Sequence, residues 1–336
     1  MRINVRYEII GGKVLAILLL LLLPYYVTIF THEKGTFYET LFILNTGIFS
    51  LRMGQEYYLF SGEDQTDYLA ARGSLKLLFL VFTLILMREY VILFLLMNWG
   101  SEMSFKVIRY RITGRFGIWP YLFEGIIPLL MAIIYFIPFL SYFLAVVSIF
   151  EMLRGSFSLN LRPLSSGLGT MSNTIVSLIV SNVLPLVLLI DMESFYVYSR
   201  ATGIVGMSST YGNLLYQKAD NSSSIETIRK ISLFQLPVFL VFGVIYVVIN
   251  GRELVWTFFI AAIVNVLTGP IQIDLLRMKK SRKILQSSMA SISLFTIILV
   301  LKPTSILYVG LAFSSIVLLE NLLSYIFYEK AKNSRS

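Results

Sequence analysis

Two arginines stand inside long apolar segments of this chain, Arg52 and Arg200. A charged guanidinium within a bilayer is costly, so each of these residues needs a partner or a wet cavity. Arginine offers permanently charged, bidentate hydrogen bonds that match carboxylate and phosphate groups. The chemistry that these two residues could perform is therefore the recognition of an anion inside a membrane protein.

Other polar residues accompany the two arginines. Glu56 follows Arg52 by four residues, so on a helix the two side chains share a face and can pair. Three amides on the same two segments complete the candidate substrate-binding set: Asn45, Gln55 and Asn213. The alternative for Arg52 is a structural ion pair with Glu56. The alternative for Arg200 is a side chain that reaches the outer membrane interface.

Two further carboxylates fall within apolar segments, Glu124 and Glu320. Either could bind a coupling proton or cation, and the alternative is a structural hydrogen-bonded group. The chain has no Cys and a single His, His32. Zinc or haem centres built on these residues are therefore excluded, and we expect no metal and no cofactor.

The composition indicates the class of protein that must position these groups. Hydrophobic residues make up 57% of the chain and charged residues 14%, and apolar runs repeat from end to end. This pattern predicts an all-α polytopic membrane protein, because spanning segments must satisfy their own backbone hydrogen bonds. The net charge of +9 follows from positive charge on cytoplasmic loops, so no nucleic-acid partner is expected.

Twelve apolar segments can be marked along the chain: 14–31, 38–60, 69–87, 91–108, 117–135, 138–153, 168–190, 195–216, 231–249, 254–275, 284–301 and 304–327. Of the 28 Lys and Arg residues, 22 fall in alternate gaps or near the segment ends that border them, Arg72, Lys76 and Lys106 among the latter; four fall in the other gaps, and Arg52 and Arg200 lie inside segments. This bias places both termini in the cytoplasm. Merging segments three and four would give eleven spans and would place most Lys and Arg residues on the outer side. A tight hairpin from Met87 to Tyr90 is therefore predicted.

The two halves of the chain show a weak internal repeat. Matching positions at one constant offset are Phe37 and Phe195, Tyr38 and Tyr196, Gly54 and Gly212, and Tyr58 and Tyr216. Six spans in each half would make the halves parallel repeats with a substrate site between them. We therefore expect an N-terminal lobe over 1–160 and a C-terminal lobe over 161–336.

Two stretches carry a resemblance to a known family. A Leu-rich segment with Pro24, a short outer loop, the residues Gly35–Tyr38 and the run from Asn45 to Gly54 (NTGIFSLRMG) are together similar to the opening of Wzx-like polysaccharide flippases. These proteins belong to the multidrug/oligosaccharidyl-lipid/polysaccharide exporter superfamily. The run from Asp191 to Ala201 (DMESFYVYSRA) looks like the corresponding stretch in the family's second half.

The resemblance implies about twelve transmembrane helices in two six-helix lobes around a central cavity. The implied activity is not enzymatic. It is movement of an undecaprenyl-diphosphate-linked oligosaccharide across the bacterial plasma membrane, for O-antigen, capsule or exopolysaccharide synthesis. Arg52 and Arg200 would then meet the diphosphate at different depths. The implied partners are this lipid-linked substrate, membrane lipids, and polysaccharide polymerase and glycosyltransferases.

Two other functions fit the sequence less well. A cation-coupled drug antiporter of the same fold should carry an acidic cavity, whereas the deepest charges here, Arg52 and Arg200, are basic. A membrane-embedded glycan polymerase or glycosyltransferase usually needs a large extracytoplasmic loop or a soluble catalytic domain. The gaps between the twelve segments are all short.

Overall fold

A computed structural model describes residues 34–55, 57–58, 64–113, 119–165, 167–168, 271–272, 274–275, 278–301 and 306–333. Within these ranges the chain is helical and has no strand. The helices in the described part of the chain are α1 Lys34–Ser50, α2 Thr66–Leu86, α3 Val91–Thr113, α4 Trp119–Tyr135, α5 Pro138–Leu153, α6 Ser281–Leu301 and α7 Ile306–Asn333. Predicted segments one and seven to nine, and nearly all of segment ten, lie outside the described residues.

Three stretches of the described chain are long and apolar enough to cross a membrane. They are Thr66–Leu86, Arg88–Tyr110 and Ser281–Leu301. A spanning helix needs about 20 predominantly apolar residues, which these stretches provide. The pair formed by α4 and α5 adds a fourth candidate if it counts as one bent span. The described chain thus has the apolar helices of a membrane protein, and the total of twelve spans stays a prediction.

The predicted hairpin between the third and fourth segments is confirmed. Helix α2 ends at Leu86, a 3₁₀ turn covers Arg88–Tyr90, and α3 begins at Val91. The turn is exposed, as are the apolar side chains of the last part of α2, among them Phe82, Ile85 and Leu86. This end of the hairpin therefore has the apolar outer surface that a lipid environment accepts.

The predicted continuous helix over 38–60 is wrong at residues 51–55, which interrupt it. Helix α1 ends at Ser50, and residues 51–55 form a turn. Met53 and Gly54 both adopt the left-handed conformation, with φ of 52° and 78°. A right-handed helix cannot continue through this conformation, so Arg52 lies on a turn and not on a helix face.

Helices α4 and α5 match the predicted fifth and sixth segments closely, but they meet at a sharp bend. The residues Ile126–Tyr135 and Pro138–Leu153 are inclined by 118°. Pro138 occupies the first position of α5, where proline starts a helix readily and its missing N–H is no loss. The helices contain 17 and 16 residues. Each is thus shorter than an ordinary single span.

Helix α3 is the centre of the described bundle, and it packs against α1, α2, α4 and α5. The main apolar core combines side chains of α1, α3 and α4 with Phe295 and Ile298 of α6 and Ile316 of α7. Helices α6 and α7 pack against each other. The division into lobes 1–160 and 161–336 stays a prediction.

Gly100 of α3 allows a close contact between α3 and α1. A Cβ atom at Gly100 would lie 2.7 Å from the Cδ1 atom of Ile48 and 3.2 Å from Met131. Close backbone approach at small residues is a common way for membrane helices to pack.

We expect Gly100→Leu to separate α1 from α3 and to destabilise the protein by about 1–3 kcal/mol, the usual effect of overpacking. Thermal unfolding of the purified protein in detergent, followed by size-exclusion chromatography, measures this change. Gly155→Ala is the control, because Gly155 is exposed and a Cβ atom there would meet a single atom, the Met152 carbonyl oxygen at 3.2 Å. Equal melting temperatures for the Gly100→Leu variant and the unaltered protein would contradict the close packing.

Candidate functional site

Helices α2 and α3 bring three charged side chains together inside the bundle. The Glu102 Oε1 atom lies 2.9 Å from Arg72 Nη1 and 2.6 Å from Lys76 Nζ. The side chains of Arg72 and Lys76 are only 3% and 4% exposed, whereas that of Glu102 is 27% exposed. One carboxylate therefore pairs with two buried cations, and we name these three residues the charged triad.

Arg72 is the best-anchored member of the charged triad. Its Nε donates to the carbonyl oxygen of Leu51 at 3.1 Å, and its Nη2 donates to the Ser101 hydroxyl at 3.0 Å. With the Glu102 contact, one guanidinium connects the turn after α1 to both α2 and α3. Because each of these contacts uses a different nitrogen of the guanidinium, together they fix the orientation of the planar group.

The charged triad lines a cavity of about 500 Å³. This volume is within the range of small-molecule sites, roughly 300–1,000 Å³. The lining residues are Leu69, Arg72, Gly73, Lys76, Asn98, Glu102, Lys106, Glu151, Met152, Arg154, Gly155 and Ser156. The walls come from α2, α3 and the end of α5.

The cavity opens at the end of the bundle opposite the Arg88–Tyr90 turn. There Lys106 lies 3.3 Å from Glu151, and the Lys106 side chain is 53% exposed. Arg154 and Ser156 are also exposed. The cavity thus has a solvated mouth and a buried floor, which is formed by Arg72 and Lys76. The sequence predicts that this end faces the cytoplasm.

The lining favours an anionic ligand. Four cations face two carboxylates in the cavity wall, which leaves an excess of two positive charges. The two most buried cations offer guanidinium and ammonium donors in a place of low water access. Charge-assisted hydrogen bonds are strongest in such a setting, and phosphate is a suitable acceptor for both groups.

Arg52 is buried, and it lies on the turn after α1 and not on a helix. Its guanidinium carbon lies 4.2 Å from the centre of the Phe49 ring, and its Nη1 donates to the Ser104 hydroxyl at 3.4 Å. The Tyr68 hydroxyl donates to the carbonyl oxygens of Arg52 and Met53, at 2.9 Å and 2.7 Å. Tyr68 of α2 therefore holds the Arg52 turn beside the charged triad.

The remaining predicted substrate-binding residues divide into two groups. Asn45 on α1 and Gln55 on the following turn are buried. Glu56, Arg200 and Asn213 lie outside the described residues, so the predicted Arg52–Glu56 pair and the second arginine stay predictions. The candidate coupling residue Glu124 belongs to helix α4, and its side chain also lies outside the described part.

The other candidate coupling residue, Glu320, is buried between α6 and α7. Its Oε1 accepts a hydrogen bond of 2.9 Å from the Ser288 hydroxyl. Nearby the Ser324 hydroxyl donates to the Ser287 hydroxyl at 3.3 Å across the same pair of helices. A row of small hydroxyl side chains is typical of packed membrane helices, which favours the structural alternative for Glu320.

The sequence analysis did not select the charged triad. Arg72 and Lys76 were accounted for there by the excess of cations on the predicted cytoplasmic side. Glu102 and Lys106 are four residues apart, a spacing that predicts a pair on one helix. In the structure Glu102 pairs with Arg72 and Lys76, while Lys106 pairs with Glu151. The reason is that hairpin packing brings α2 against the charged face of α3.

One sequence signal could have found this site. Lys76 lies 11 residues before Met87, and Glu102 lies 12 residues after Tyr90. The two arms of an antiparallel hairpin with this turn place these residues at similar depths, since each residue of helix advances about 1.5 Å. Opposite charges at similar depths in a tight hairpin predict an ion pair between its arms.

Comparison with known proteins adds no relative to this picture. No protein-family profile, no curated protein and no solved structure matches this chain.

Proposed function

We propose that this chain is a flippase for undecaprenyl-diphosphate-linked oligosaccharides in the bacterial plasma membrane. In this proposal it supplies repeat units for a surface polysaccharide such as O-antigen, capsule or exopolysaccharide. The observation that carries the proposal is the cavity with four cations, two of them almost completely buried. A diphosphate headgroup is a compact anion with many acceptor oxygens, which these donors match.

The position of the cavity supports a transport role. Its mouth is at the predicted cytoplasmic end, where a lipid-linked precursor is made, and its floor lies inside the bundle. A headgroup that enters there leaves water and exchanges its hydration shell for fixed donors. The polyprenyl tail would stay in the lipid, against the exposed apolar faces of the spanning helices.

The rival function as a cation-coupled drug antiporter fits this cavity less well. A cationic drug would meet an excess of positive charge in the lining, and like charges at close range are repulsive. Glu320, a buried carboxylate outside the cavity, has Ser288 as a hydrogen-bond donor, so it serves as a helix-packing contact in this proposal.

Liposomes that contain the purified protein and a fluorescent polyprenyl-diphosphate-linked oligosaccharide provide the test. We expect the protein to move the oligosaccharide to the outer leaflet, where a membrane-impermeant reagent reacts with it. Lys76→Gln should slow this movement by about tenfold or more, because a hydrogen bond to a charged group contributes about 1.5–3 kcal/mol.

Arg88→Gln is the matched control, since Arg88 lies on the exposed turn at the far end of the same helix pair. Protein amount in the liposomes is equalised before rates are compared. A Lys76→Gln variant as fast as the unaltered protein, or a protein that moves cationic dyes and not the lipid-linked oligosaccharide, would refute the proposal.

A further inference from the structure

We propose that Glu102 is a resident counter-anion that an incoming diphosphate displaces from Arg72 and Lys76. The inference rests on the proposed function and adds a role for the carboxylate within the cavity. In the resting protein Glu102 occupies the donors that the ligand needs. The carboxylate thereby lowers the affinity of the site for anions. It admits only an anion that binds Arg72 and Lys76 more strongly than Glu102 does.

The first support is the sharing of a single oxygen atom. Arg72 Nη1 and Lys76 Nζ both contact Glu102 Oε1, at 2.9 Å and 2.6 Å. Two buried cations that converge on one oxygen form the geometry of an anion site, and a carboxylate fills it with a single negative charge. A diphosphate brings more charge and more acceptor oxygens to the same donors.

The second support is the difference in exposure within the charged triad. The carboxylate is 27% exposed and the two cations are 3% and 4% exposed. A ligand that enters through the mouth therefore meets the carboxylate before it reaches the cations. Glu102 also has somewhere to move, because Lys106 lies four residues further along the same helix, which places the two on one face.

The third support is that Arg72 stays fixed when Glu102 leaves. Its bonds to the Leu51 carbonyl oxygen and to the Ser101 hydroxyl do not involve the carboxylate. The guanidinium therefore keeps its orientation for the ligand, and little ordering free energy is lost on binding. A transporter also gains from the competition, because the returning carboxylate helps to release the substrate.

Equilibrium binding of radioactive pyrophosphate to the full-length protein in detergent tests the inference. Glu102→Gln keeps the size of the side chain and removes its charge. We expect this variant to bind pyrophosphate about tenfold more tightly than the unaltered protein, since the internal competitor is gone. Glu89→Gln removes a charge of the same sign on the exposed turn, and we expect its affinity to be unchanged.

Glu151→Gln separates the displacement of Glu102 from the effect of the net charge of the cavity. Glu151 lines the same cavity but pairs with the exposed Lys106, so its removal should increase affinity much less than removal of Glu102. An equal increase in both variants would overturn the inference, because the effect would then come from net charge alone. An unchanged or weaker affinity in a folded Glu102→Gln variant would overturn it as well.

If Glu102→Gln does not fold, a second variant and a second measurement still test the inference. Glu102→Asp keeps the charge and shortens its reach, and it should increase pyrophosphate affinity in the same direction. In thermal unfolding, pyrophosphate should raise the melting temperature of either variant more than that of the unaltered protein. An equal increase in all three proteins would contradict displacement.

Competition identifies the source of the bound phosphate group. Polyprenyl diphosphate in mixed micelles should displace the pyrophosphate, and phosphatidylglycerol at the same concentration should not. Displacement by phosphatidylglycerol alone would make the site a lipid-headgroup site and would overturn the inference as stated.

If Glu102→Gln gains no affinity while Lys76→Gln still stops oligosaccharide movement, the displacement inference fails and the proposed function stands. If the Lys76→Gln variant moves the oligosaccharide normally, the proposed function itself fails.

Discussion

Gly54→Val is expected to abolish accumulation of the folded protein. Gly54 has a φ of 78°, a conformation that costs a non-glycine residue about 1–3 kcal/mol and is worst for a β-branched side chain. A Cβ atom at this position would also collide with the carbonyl oxygen of Gly167. Since backbone and not a flexible side chain stands there, the collision adds an overpacking cost of about 1–3 kcal/mol.

The measurement is the yield of monodisperse protein in size-exclusion chromatography, together with its melting temperature. Gly54→Ala should give an intermediate result, because alanine meets the same collision with a smaller conformational penalty. Gly155→Ala serves again as the control. Normal yield and stability of the valine variant would show that the chain does not make the turn at 51–55 in this way.

The turn at Gly54 also shows where sequence reasoning failed. The stretch 38–60 is apolar enough to predict one continuous helix, and its periodicity gives no sign of an interruption. The helix ends because Met53 and Gly54 take left-handed conformations and because Tyr68 and Arg72 of another helix bond the carbonyl oxygens of residues 51–53. These partners lie 15–21 residues away, so a local pattern cannot reveal them.

Some boundaries were predicted well. The hairpin at Met87–Tyr90 follows from the distribution of Lys and Arg residues between alternate gaps, and the predicted sixth segment starts at Pro138, the first residue of α5. The bend between α4 and α5 was not predicted, because it depends on how two short helices pack after a two-residue connection. Apolar composition alone cannot set that angle.

The candidate site was also predicted only in part, because some of its contacts depend on how the helices pack. Burial of Arg52 was predicted correctly from its place in an apolar stretch. The partnership of Arg72, Lys76 and Glu102 was missed, because the positive-inside pattern already gave a sufficient reason for two cations near the end of a span. A cation near a predicted interface can still be buried when a neighbouring helix supplies a carboxylate at the same depth.

Arg72→Met is expected to produce the largest loss of stability in the charged triad. The substitution keeps an unbranched apolar stem, but it removes the guanidinium and with it the contacts to Leu51, Ser101 and Glu102. Breaking a buried ion pair by removing one partner costs about 3–5 kcal/mol. The Leu51 carbonyl oxygen also loses a donor inside the bundle, which adds to the cost because a buried polar group without a hydrogen bond is unfavourable.

Arg72→Lys separates charge from geometry. A lysine keeps the positive charge, but its compact ammonium group cannot reproduce three contacts that diverge from one planar guanidinium. We therefore expect it to recover only part of the lost stability and little of the oligosaccharide movement. Thermal unfolding and the liposome assay measure the two effects, with Arg88→Met on the exposed turn as the control. If lysine restored both stability and movement, charge alone would be sufficient at this position, and the anchoring of Arg72 by the turn after α1 would have no role in the site.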